Sequence, residues 1–319
     1  MRAANKLDVE RGTCHLRVLP GGLDSAGAPQ PSCPYTWRVE RDPARVGAIA
    51  HGAVLCGAAE SALKLLDAGS VQTVVTSPPY WSLRDYGVAG QTGSADTLDD
   101  YVKSVVAVFA ELRRVLRDDG TVWLNVGDAY TSGNRPARAP DKKNPRRAMA
   151  VRPPTPVGLK DKELVGIPWR LAFALQAAGW WVRSAITWHK PNAYPESVMD
   201  RPTGAYEIVF LLAKSADYYY DVDAVRGPNG RRLRNVWDIP TEPRRRAGSE
   251  DDDHPATMPS ALAKRCIMLT SRPGDLVLDP YVGSGTTLLA TADLDRRWVG
   301  IDINPDFVAL AMRRMDARG

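Results

Sequence analysis

The sequence has few of the features that mark membrane, secreted or zinc-binding proteins. No apolar run approaches the ~20 residues that a transmembrane helix needs, so we expect no membrane association. Charged residues interrupt any N-terminal segment that could act as a signal peptide. The four cysteines are scattered and form no Cys-x-x-Cys pair, which predicts a reduced compartment and no bound metal. These absences together favour a cytoplasmic protein.

What the chain does contain is an alternation of strand-like and helix-like segments from about residue 46 to the C-terminus. The clearest helix is TLDDYVKSVVAVFAELRRVLRDDG, in which Thr97 is the expected N-cap, Asp100 follows three residues later, and Gly120 is the expected end. The alternation predicts a single α/β domain over residues 46–319, with helices on both faces of a sheet. Residues 1–45 are rich in Gly, Pro and Arg without periodicity, and predict a loose extension.

A first motif follows the apolar run VQTVVT, which predicts a buried strand. The strand ends in Ser77-Pro78-Pro79-Tyr80, followed by Trp81. Two consecutive prolines remove two backbone donors and fix an extended path, so they make a rigid corner. The corner places a hydroxyl and two large aromatic rings at the end of a strand. Taken alone, it could be merely a structural turn.

A second motif, DPYVGSGTT from Asp279 to Thr287, lies between a predicted strand and a predicted helix. A glycine-rich turn there lets a ligand approach the backbone and exposes helix N–H groups. The motif lacks both the third glycine of a dinucleotide fingerprint and the Lys of a phosphate loop. The next strand, RWVGIDI, ends in Asp302, where an acidic residue can accept hydrogen bonds from ribose hydroxyls. This combination favours a nucleoside cofactor without a pyrophosphate, although a plain packed turn has the same pattern.

The two motifs in this order resemble the S-adenosylmethionine-dependent DNA methyltransferases that modify exocyclic amino groups. TSPPYW, DPYVGSGTT and VGIDIN carry the resemblance, together with VWLNVGD, ITWHKPN, YEIVFLLAKS and RNVWDIPT. It covers about residue 50 to the C-terminus. Because the catalytic motif precedes the cofactor motif, the order resembles the circularly permuted β class. SPPY in place of DPPY resembles the N4-cytosine subset.

The resemblance implies a Rossmann-like methyltransferase fold with a mixed seven-stranded sheet. It implies that the Ser77 hydroxyl and the Pro78 carbonyl accept hydrogen bonds from the target amine, and that Pro79 keeps them rigid. Tyr80 would then offer a stacking face to a flipped base, within a pocket formed by Trp81 and Trp188. The expected cofactor is S-adenosyl-L-methionine, held by Thr76, Asp279, Tyr281, Gly283, Ser284, Gly285, Thr286 and Asp302. One departure is Ala58, where family members commonly carry Asp, which puts one cofactor contact in doubt.

Two long basic segments interrupt the alternation, at residues 131–166 and 226–254. Loops this long are usually functional or disordered, and the second lies where the family places its target-recognition region. We expect them to contact the phosphates of double-stranded DNA, although a solvated loop is the commoner fate of such charge runs. The candidate residues are Arg135, Arg138, Lys142, Lys143, Arg146, Arg147, Arg231, Arg232, Arg234, Arg244, Arg245 and Arg246.

The resulting hypothesis is a site-specific N4-cytosine DNA methyltransferase, acting at the nucleoid and protecting DNA from a cognate restriction endonuclease. The resemblance also implies a homodimer, since β-class members often pair. Three alternatives stay open at this point. The same machinery could methylate N6 of adenine, the corner could serve a protein or RNA amide methyltransferase, or the chain could be a catalytically silent DNA-binding protein.

Overall fold

The computed structural model describes residues 52–83, 88–95, 97–132, 154–242 and 258–318, together with the backbone of four short strands before them. Those four strands form two antiparallel pairs within the segment that the sequence predicts to be a loose extension. Leu16–Leu19 (β1) pairs with Thr36–Val39 (β4), and Gly22–Leu23 (β2) pairs with Pro29–Gln30 (β3).

From residue 52 onward the described elements alternate as the sequence predicts. In chain order they are β5 (Gly52–Cys56), α1 (Ala59–Leu63), β6 (Val71–Thr76), α2 (Leu98–Val115), β7 (Leu116–Val126), α3 (Ile167–Ala177), β8 (Trp181–His189), β9 (Tyr206–Ala213), β10 (Val236–Asp238), α4 (Ser260–Thr270), β11 (Leu276–Asp279), α5 (Thr286–Ala292), β12 (Arg297–Asp302) and α6 (Pro305–Asp316).

The main sheet has the order β10-β8-β9-β7-β6-β11-β12-β5. Every neighbouring pair is parallel except those of β9, which runs antiparallel to both β7 and β8. The sheet is therefore mixed, as predicted, but it has eight strands rather than seven. The additional strand is β10, which lies inside the second basic segment and pairs with the edge of β8 because Trp237 is buried against the sheet.

The hydrophobic core lies on both faces of this sheet. Neighbouring strand residues alternate between the faces, as the pleat requires: Val74 packs with α1, α2 and α3, whereas Val75 packs with α4. A smaller cluster joins β5 to α5 and α6. Helices thus cover both faces, which leaves the ends of the strands as the place for a site.

Helix α2 confirms the predicted start but not the predicted end. Thr97 caps it, with Oγ1 accepting from the Asp100 amide at 3.1 Å, an arrangement that stabilises a helix by about 1 kcal/mol. The helix stops at Val115 rather than Gly120, because Leu116 is buried in extended backbone and already begins β7. Gly120 lies inside that strand.

Candidate active site

A cavity of about 730 Å³ opens at the edge of the sheet where β6, β7, β8, β11 and β12 end. Because β9 is antiparallel to its neighbours, it begins at this same edge instead of ending there. The volume lies within the range of ligand pockets. Both sequence motifs reach the cavity, although more than two hundred residues separate them in the chain.

The first motif forms one wall, and all four residues from Ser77 to Tyr80 line the cavity. Thr76, the last residue of β6, is fully buried and donates from Oγ1 to Oδ1 of Asp279 at 2.7 Å. This bond ties the end of β6 to the end of β11. Within the described residues, the Pro78 carbonyl oxygen accepts no hydrogen bond. That free acceptor is what a proline-proline corner is expected to leave.

The Tyr80 hydroxyl is bound within the protein rather than exposed to the cavity. It donates to Oε2 of Glu207 at 2.7 Å and lies 3.3 Å from Oγ of Ser77. Nδ2 of Asn125 donates to the same carboxylate oxygen at 2.9 Å, and Nζ of Lys190 donates to the other, Oε1, at 2.5 Å. We call Tyr80, Asn125, Lys190 and Glu207 the carboxylate network; all four line the cavity.

Electrostatics within the network favour an ionised Glu207. Burial alone would raise the pKa of its carboxyl group, but the Lys190 ammonium and the hydrogen bonds from Lys190, Tyr80 and Asn125 outweigh it and lower the pKa. Burial, together with the charge of Glu207, raises the pKa of Tyr80 well above its usual value. The phenol therefore keeps its proton and the carboxylate stays an acceptor.

The second motif forms the opposite wall and is joined to Asp302. The backbone amide of Gly283 donates to Oδ2 of Asp302 at 2.9 Å, and that of Asn304 donates to Oδ1 at 2.8 Å. Asp302 therefore fixes the glycine turn instead of capping α6, a role taken by Asn304. Gly285 has a φ of +82°, and a Cβ there would lie 3.0 Å from Cβ of Ala311. This position requires glycine for conformation and for packing alike.

Two buried carboxyl groups face each other across this wall. Burial raises the pKa of Asp279 and of Asp302 to about 6, despite the hydrogen bonds that each accepts, and the charge of Asp279 adds to the rise at Asp302. Burial also raises the pKa of Tyr281 to about 12, while its hydroxyl lies 3.4 Å from Oγ1 of Thr92. The wall thus carries acceptors that are only part-ionised near pH 6 and suit hydroxyl and ammonium donors.

Most of the residues predicted from the motifs line the cavity. Those that do are Ser77, Pro78, Pro79, Tyr80, Trp188, Asp279, Tyr281, Gly283, Ser284, Thr286 and Asp302. Thr76 and Gly285 lie behind the lining and support it. Ala58 lines the cavity without a side-chain hydrogen bond, and Glu60 lies beside it.

The position of Trp81 contradicts its predicted place in the base pocket. Its side chain is buried in the main core, its Nε1 donates to the Ala95 carbonyl at 3.0 Å, and it does not line the cavity. Because the ring packs in the core, Trp81 does not form a wall of the base pocket, contrary to the prediction. Trp188 does line the cavity, with Nε1 donating to the Ile239 carbonyl at 2.8 Å and the Lys190 ammonium 4.4 Å from its ring centre.

The predicted DNA contacts are only partly within the described residues. Arg231, Arg232 and Arg234, which we call the exposed arginine group, lie on the surface between β9 and β10. The remaining candidates lie outside the described residues, namely Arg135, Arg138, Lys142, Lys143, Arg146, Arg147, Arg244, Arg245 and Arg246. The two residues that flank the undescribed stretch 243–257, Glu242 and Met258, both line the cavity.

The sequence motifs do not predict Glu207, and the segment VWLNVGD alone leaves Asn125 and Asp128 open between supporting the site and capping a turn. Asn125 belongs to the carboxylate network, whereas Asp128 accepts the backbone amides of Ala129, Gly166 and Ile167 and so holds the start of α3. Glu207 had one available signal, an acidic residue near the start of the otherwise apolar run YEIVFLLA.

Two features are absent from the described residues. The described helices include none long and apolar enough to cross a membrane. In the same parts of the chain, no group of three or more His, Cys, Asp or Glu side chains is placed to hold a metal ion.

The mixed sheet, the glycine turn after β11 and the acidic end of β12 define an α/β enzyme of the S-adenosylmethionine-dependent methyltransferase fold. Within that class, the chain belongs to the N6/N4 DNA methylase family, whose model matches residues 71–313. The chain is therefore a DNA methyltransferase of the amino-methylating type, and S-adenosylmethionine is its cofactor. This confirms the fold class and the cofactor predicted from the motifs.

Individual proteins are similar to the chain in sequence or in fold. The chain is 53% identical over 270 residues to the Type II methyltransferase M.Cfr9I of Citrobacter freundii, an alignment that covers 83% of this chain and 88% of that protein. The cytosine-N4-specific PvuII DNA methyltransferase shares its fold with a TM-score of 0.64 at 20% identity, over 83% of this chain and 86% of that one. M1.HpyAVI in complex with S-adenosylmethionine matches with a TM-score of 0.54 at 18% identity, over 83% and 99%.

Proposed function

We propose that this protein transfers a methyl group to N4 of cytosine in a specific duplex DNA sequence, as the modification enzyme of a Type II restriction-modification system. The observation that carries the proposal is the Ser77-Pro78 corner, which presents a serine hydroxyl and an unpaired carbonyl oxygen to the cavity. M.Cfr9I, a Type II methyltransferase 53% identical to this chain, supports the system type and implies a cognate endonuclease.

The chemistry requires the target amine to become a better nucleophile. The lone pair of an exocyclic amine is delocalised into the ring, so the enzyme must hold the amine in a geometry that returns density to nitrogen. Two acceptors on one rigid corner, Oγ of Ser77 and the Pro78 carbonyl, would bind the two amine hydrogens and direct the lone pair away from them. This contribution is positional and electrostatic, and it needs no covalent intermediate.

The residues of the opposite wall fit the cofactor. Asp302 and Asp279 are buried acceptors whose pKa values are raised by burial. Such carboxyl groups suit donors such as ribose hydroxyls and an ammonium group. The cofactor supplies the electrophilic methyl group when bound. Asp302 would hold its ribose, and the segment Asp279–Thr286 its methionine end, next to Thr76 and Ser77. Ala58 offers no polar group there, so we propose that one interaction usual in the family is missing.

The target base must leave the duplex to reach this cavity. We propose that the Tyr80 ring stacks on the flipped base and that Trp188, held by its bond to Ile239, forms the far wall. The exposed arginine group, and the basic residues outside the described residues, would contact phosphates on either side of the extruded nucleotide.

The direct test uses the purified protein, methyl-labelled S-adenosylmethionine and duplex DNA, followed by hydrolysis to nucleosides and mass spectrometry. The label is expected in N4-methyl-2′-deoxycytidine, and Ser77→Ala should abolish most of it. The matched control is Ser70→Ala, which removes a half-buried hydroxyl that donates to the Asp67 carbonyl. Label in N6-methyladenine would retain the mechanism and refute the base assignment. Absence of label with intact DNA binding would identify a silent binding protein.

A further inference from the structure

A serine hydroxyl can donate or accept a hydrogen bond, and the proposed function works only if Ser77 accepts. An Oγ–H directed at the target amine would occupy the nitrogen lone pair that must attack the methyl group. Something must therefore fix the direction of the Ser77 proton before the base arrives. This inference rests on the proposed function and concerns the same site.

The direction is determined by a chain of three groups. Glu207 has no proton to give when ionised, so the 2.7 Å contact with Tyr80 requires the phenol to donate. The phenol has one proton, and once it is directed at Glu207, the Tyr80 oxygen can only accept. The Ser77 hydroxyl, 3.3 Å away, then donates to Tyr80. One lone pair of Ser77 Oγ faces the Nδ2 donor of Asn125 at 3.5 Å, and the other is left for a donor in the cavity that Ser77 lines.

The groups around Glu207 all enforce this state. Lys190 follows β8 and pairs with Oε1, and Asn125 on β7 donates to Oε2. Gly127 lets the Tyr80 ring approach, since a Cβ there would lie 2.8 Å from Cε2 of the ring. The Lys190–Glu207 pair is largely shielded from solvent, with 18% and 17% of the two side chains exposed. Within the described residues, Lys190 is the charged group in contact with Glu207.

We propose that Glu207 is a positioning residue for methyl transfer: held ionised by Lys190, it sets the hydrogen-bond direction from Ser77 to Tyr80 to Glu207 and so makes Ser77 an acceptor toward the target amine. Tyr80 then has two separate functions, a ring for the base and a hydroxyl for the chain. In this role Glu207 acts through Tyr80 and Ser77, and the role requires no contact between Glu207 and the base or the cofactor.

The first test compares single-turnover methylation by Tyr80→Phe, Glu207→Gln and the double variant. Tyr80→Phe keeps the aromatic ring but removes the hydroxyl, which breaks the hydrogen-bond chain from Ser77 to Glu207. Glu207→Gln introduces an amide N–H that can donate to the Tyr80 oxygen. The hydrogen-bond chain can then reverse its direction, with the Tyr80 hydroxyl donating to Ser77. Each single variant is expected to slow transfer by about 100-fold, the usual scale for a misplaced reacting group, with cofactor and DNA affinity unchanged. The double variant should be no slower than either single variant.

The matched control is Glu111→Gln, which neutralises a partly buried carboxylate paired with Arg114 on α2, away from the cavity. It should transfer methyl at the wild-type rate. If the slowing of the double variant equals the product of the two single slowings, the proposal is overturned. Independent effects on the rate multiply, whereas two breaks in one hydrogen-bond chain do not. Wild-type rates in Tyr80→Phe would overturn it as well.

The second test is the pH profile, which a merely structural role would not move. Lys190→Met removes the cation that holds Glu207 ionised, so the acid limb of the single-turnover rate should move to higher pH by about 1–3 units. In the Lys190→Met, Glu207→Gln double variant, thermal stability should return, because no unpaired charge is left buried, but the rate should not. Recovery of the rate together with stability would show that the pair serves only folding.

The outcomes distinguish this proposal from the proposed function. If the wild-type protein labels no DNA base, the proposed function has failed. If the wild type labels DNA and the variants match it at every pH, only the positioning role of Glu207 has failed.

Discussion

If Asp279 and Asp302 hold the cofactor as proposed, the affinity for S-adenosylmethionine should depend steeply on pH, because these two buried carboxyl groups must ionise to accept its donors. With each pKa at about 6, only about one molecule in eleven has a given group ionised at pH 5. If both must be ionised, the affinity for S-adenosylmethionine should fall by about 100-fold between pH 8 and pH 5, and by about 10-fold if only one must be. Isothermal titration calorimetry across this range measures the slope directly.

The variant Asp302→Asn sharpens this prediction. It cannot ionise, and its single acceptor oxygen can replace only one of the two that accept from the Gly283 and Asn304 amides. Its affinity should be lower at pH 8, and its remaining pH dependence should correspond to one proton, that of Asp279. Asp99→Asn, an exposed position in the first turn of α2, is the control and should follow the wild-type curve. An affinity that stays flat from pH 8 to pH 5, or an unchanged slope in Asp302→Asn, would refute the reasoning.

The same pKa values predict an unusual stability profile for the cofactor-free protein. A carboxyl group whose pKa is about 6 when folded and 3.8 when unfolded binds more protons in the folded state between these values. The free energy of unfolding should therefore fall as pH rises through this window, by up to about 3 kcal/mol for each group. Saturating S-adenosylmethionine should abolish this fall, since it binds the ionised form and the bound folded state then holds no extra proton. Urea unfolding at pH 4.5 and pH 7 with and without cofactor checks the sign.

Three further predictions concern single features of the fold and the DNA face. Gly285→Ala should lower the thermal midpoint more than Gly69→Ala, because φ is positive at both positions but only the first leaves no room for a Cβ; equal shifts would contradict this. Asp128→Ala should cost about 1–2 kcal/mol in urea unfolding without slowing methyl transfer, and a slower transfer would instead give it a role in the site. Replacing the exposed arginine group by alanine should reduce the salt slope of DNA binding, measured by fluorescence anisotropy, by up to about 0.9 for each phosphate that is no longer neutralised. An unchanged slope would remove this group from the DNA face.

The parts of the site that the sequence predicts are those carried by local motifs. Ser77 and the glycine turn follow directly after apolar strands, and the carboxyl ends of parallel strands meet at one edge of a sheet. Asp302 is predictable for the same reason, as the acidic end of the strand after the glycine turn. The adjacency of these residues follows from topology, so no knowledge of side-chain contacts is needed.

Glu207 could not be found in this way, because its function depends on a strand reversal. It lies at the start of β9 and reaches the site only because β9 runs antiparallel between two strands that end there. Its partner Tyr80 is 127 residues away in the chain. Trp81 shows the opposite error: it is adjacent in sequence to the catalytic corner, but the chain turns its ring into the core. The sequence does not predict the eighth strand, β10, because it has three residues within an arginine-rich segment. That is too short to show the alternation of apolar and polar residues that indicates a strand.

The measurement that tests the account most directly is single-molecule sequencing of DNA from a methylation-free host that expresses this chain, compared with hosts expressing Ser77→Ala and Ser70→Ala. The account predicts N4-methylcytosine within one short sequence motif, lost with Ser77→Ala and retained with Ser70→Ala. Modification that persists in Ser77→Ala would contradict the catalytic role of the corner, and an unmodified genome with folded wild-type protein would contradict the proposed activity.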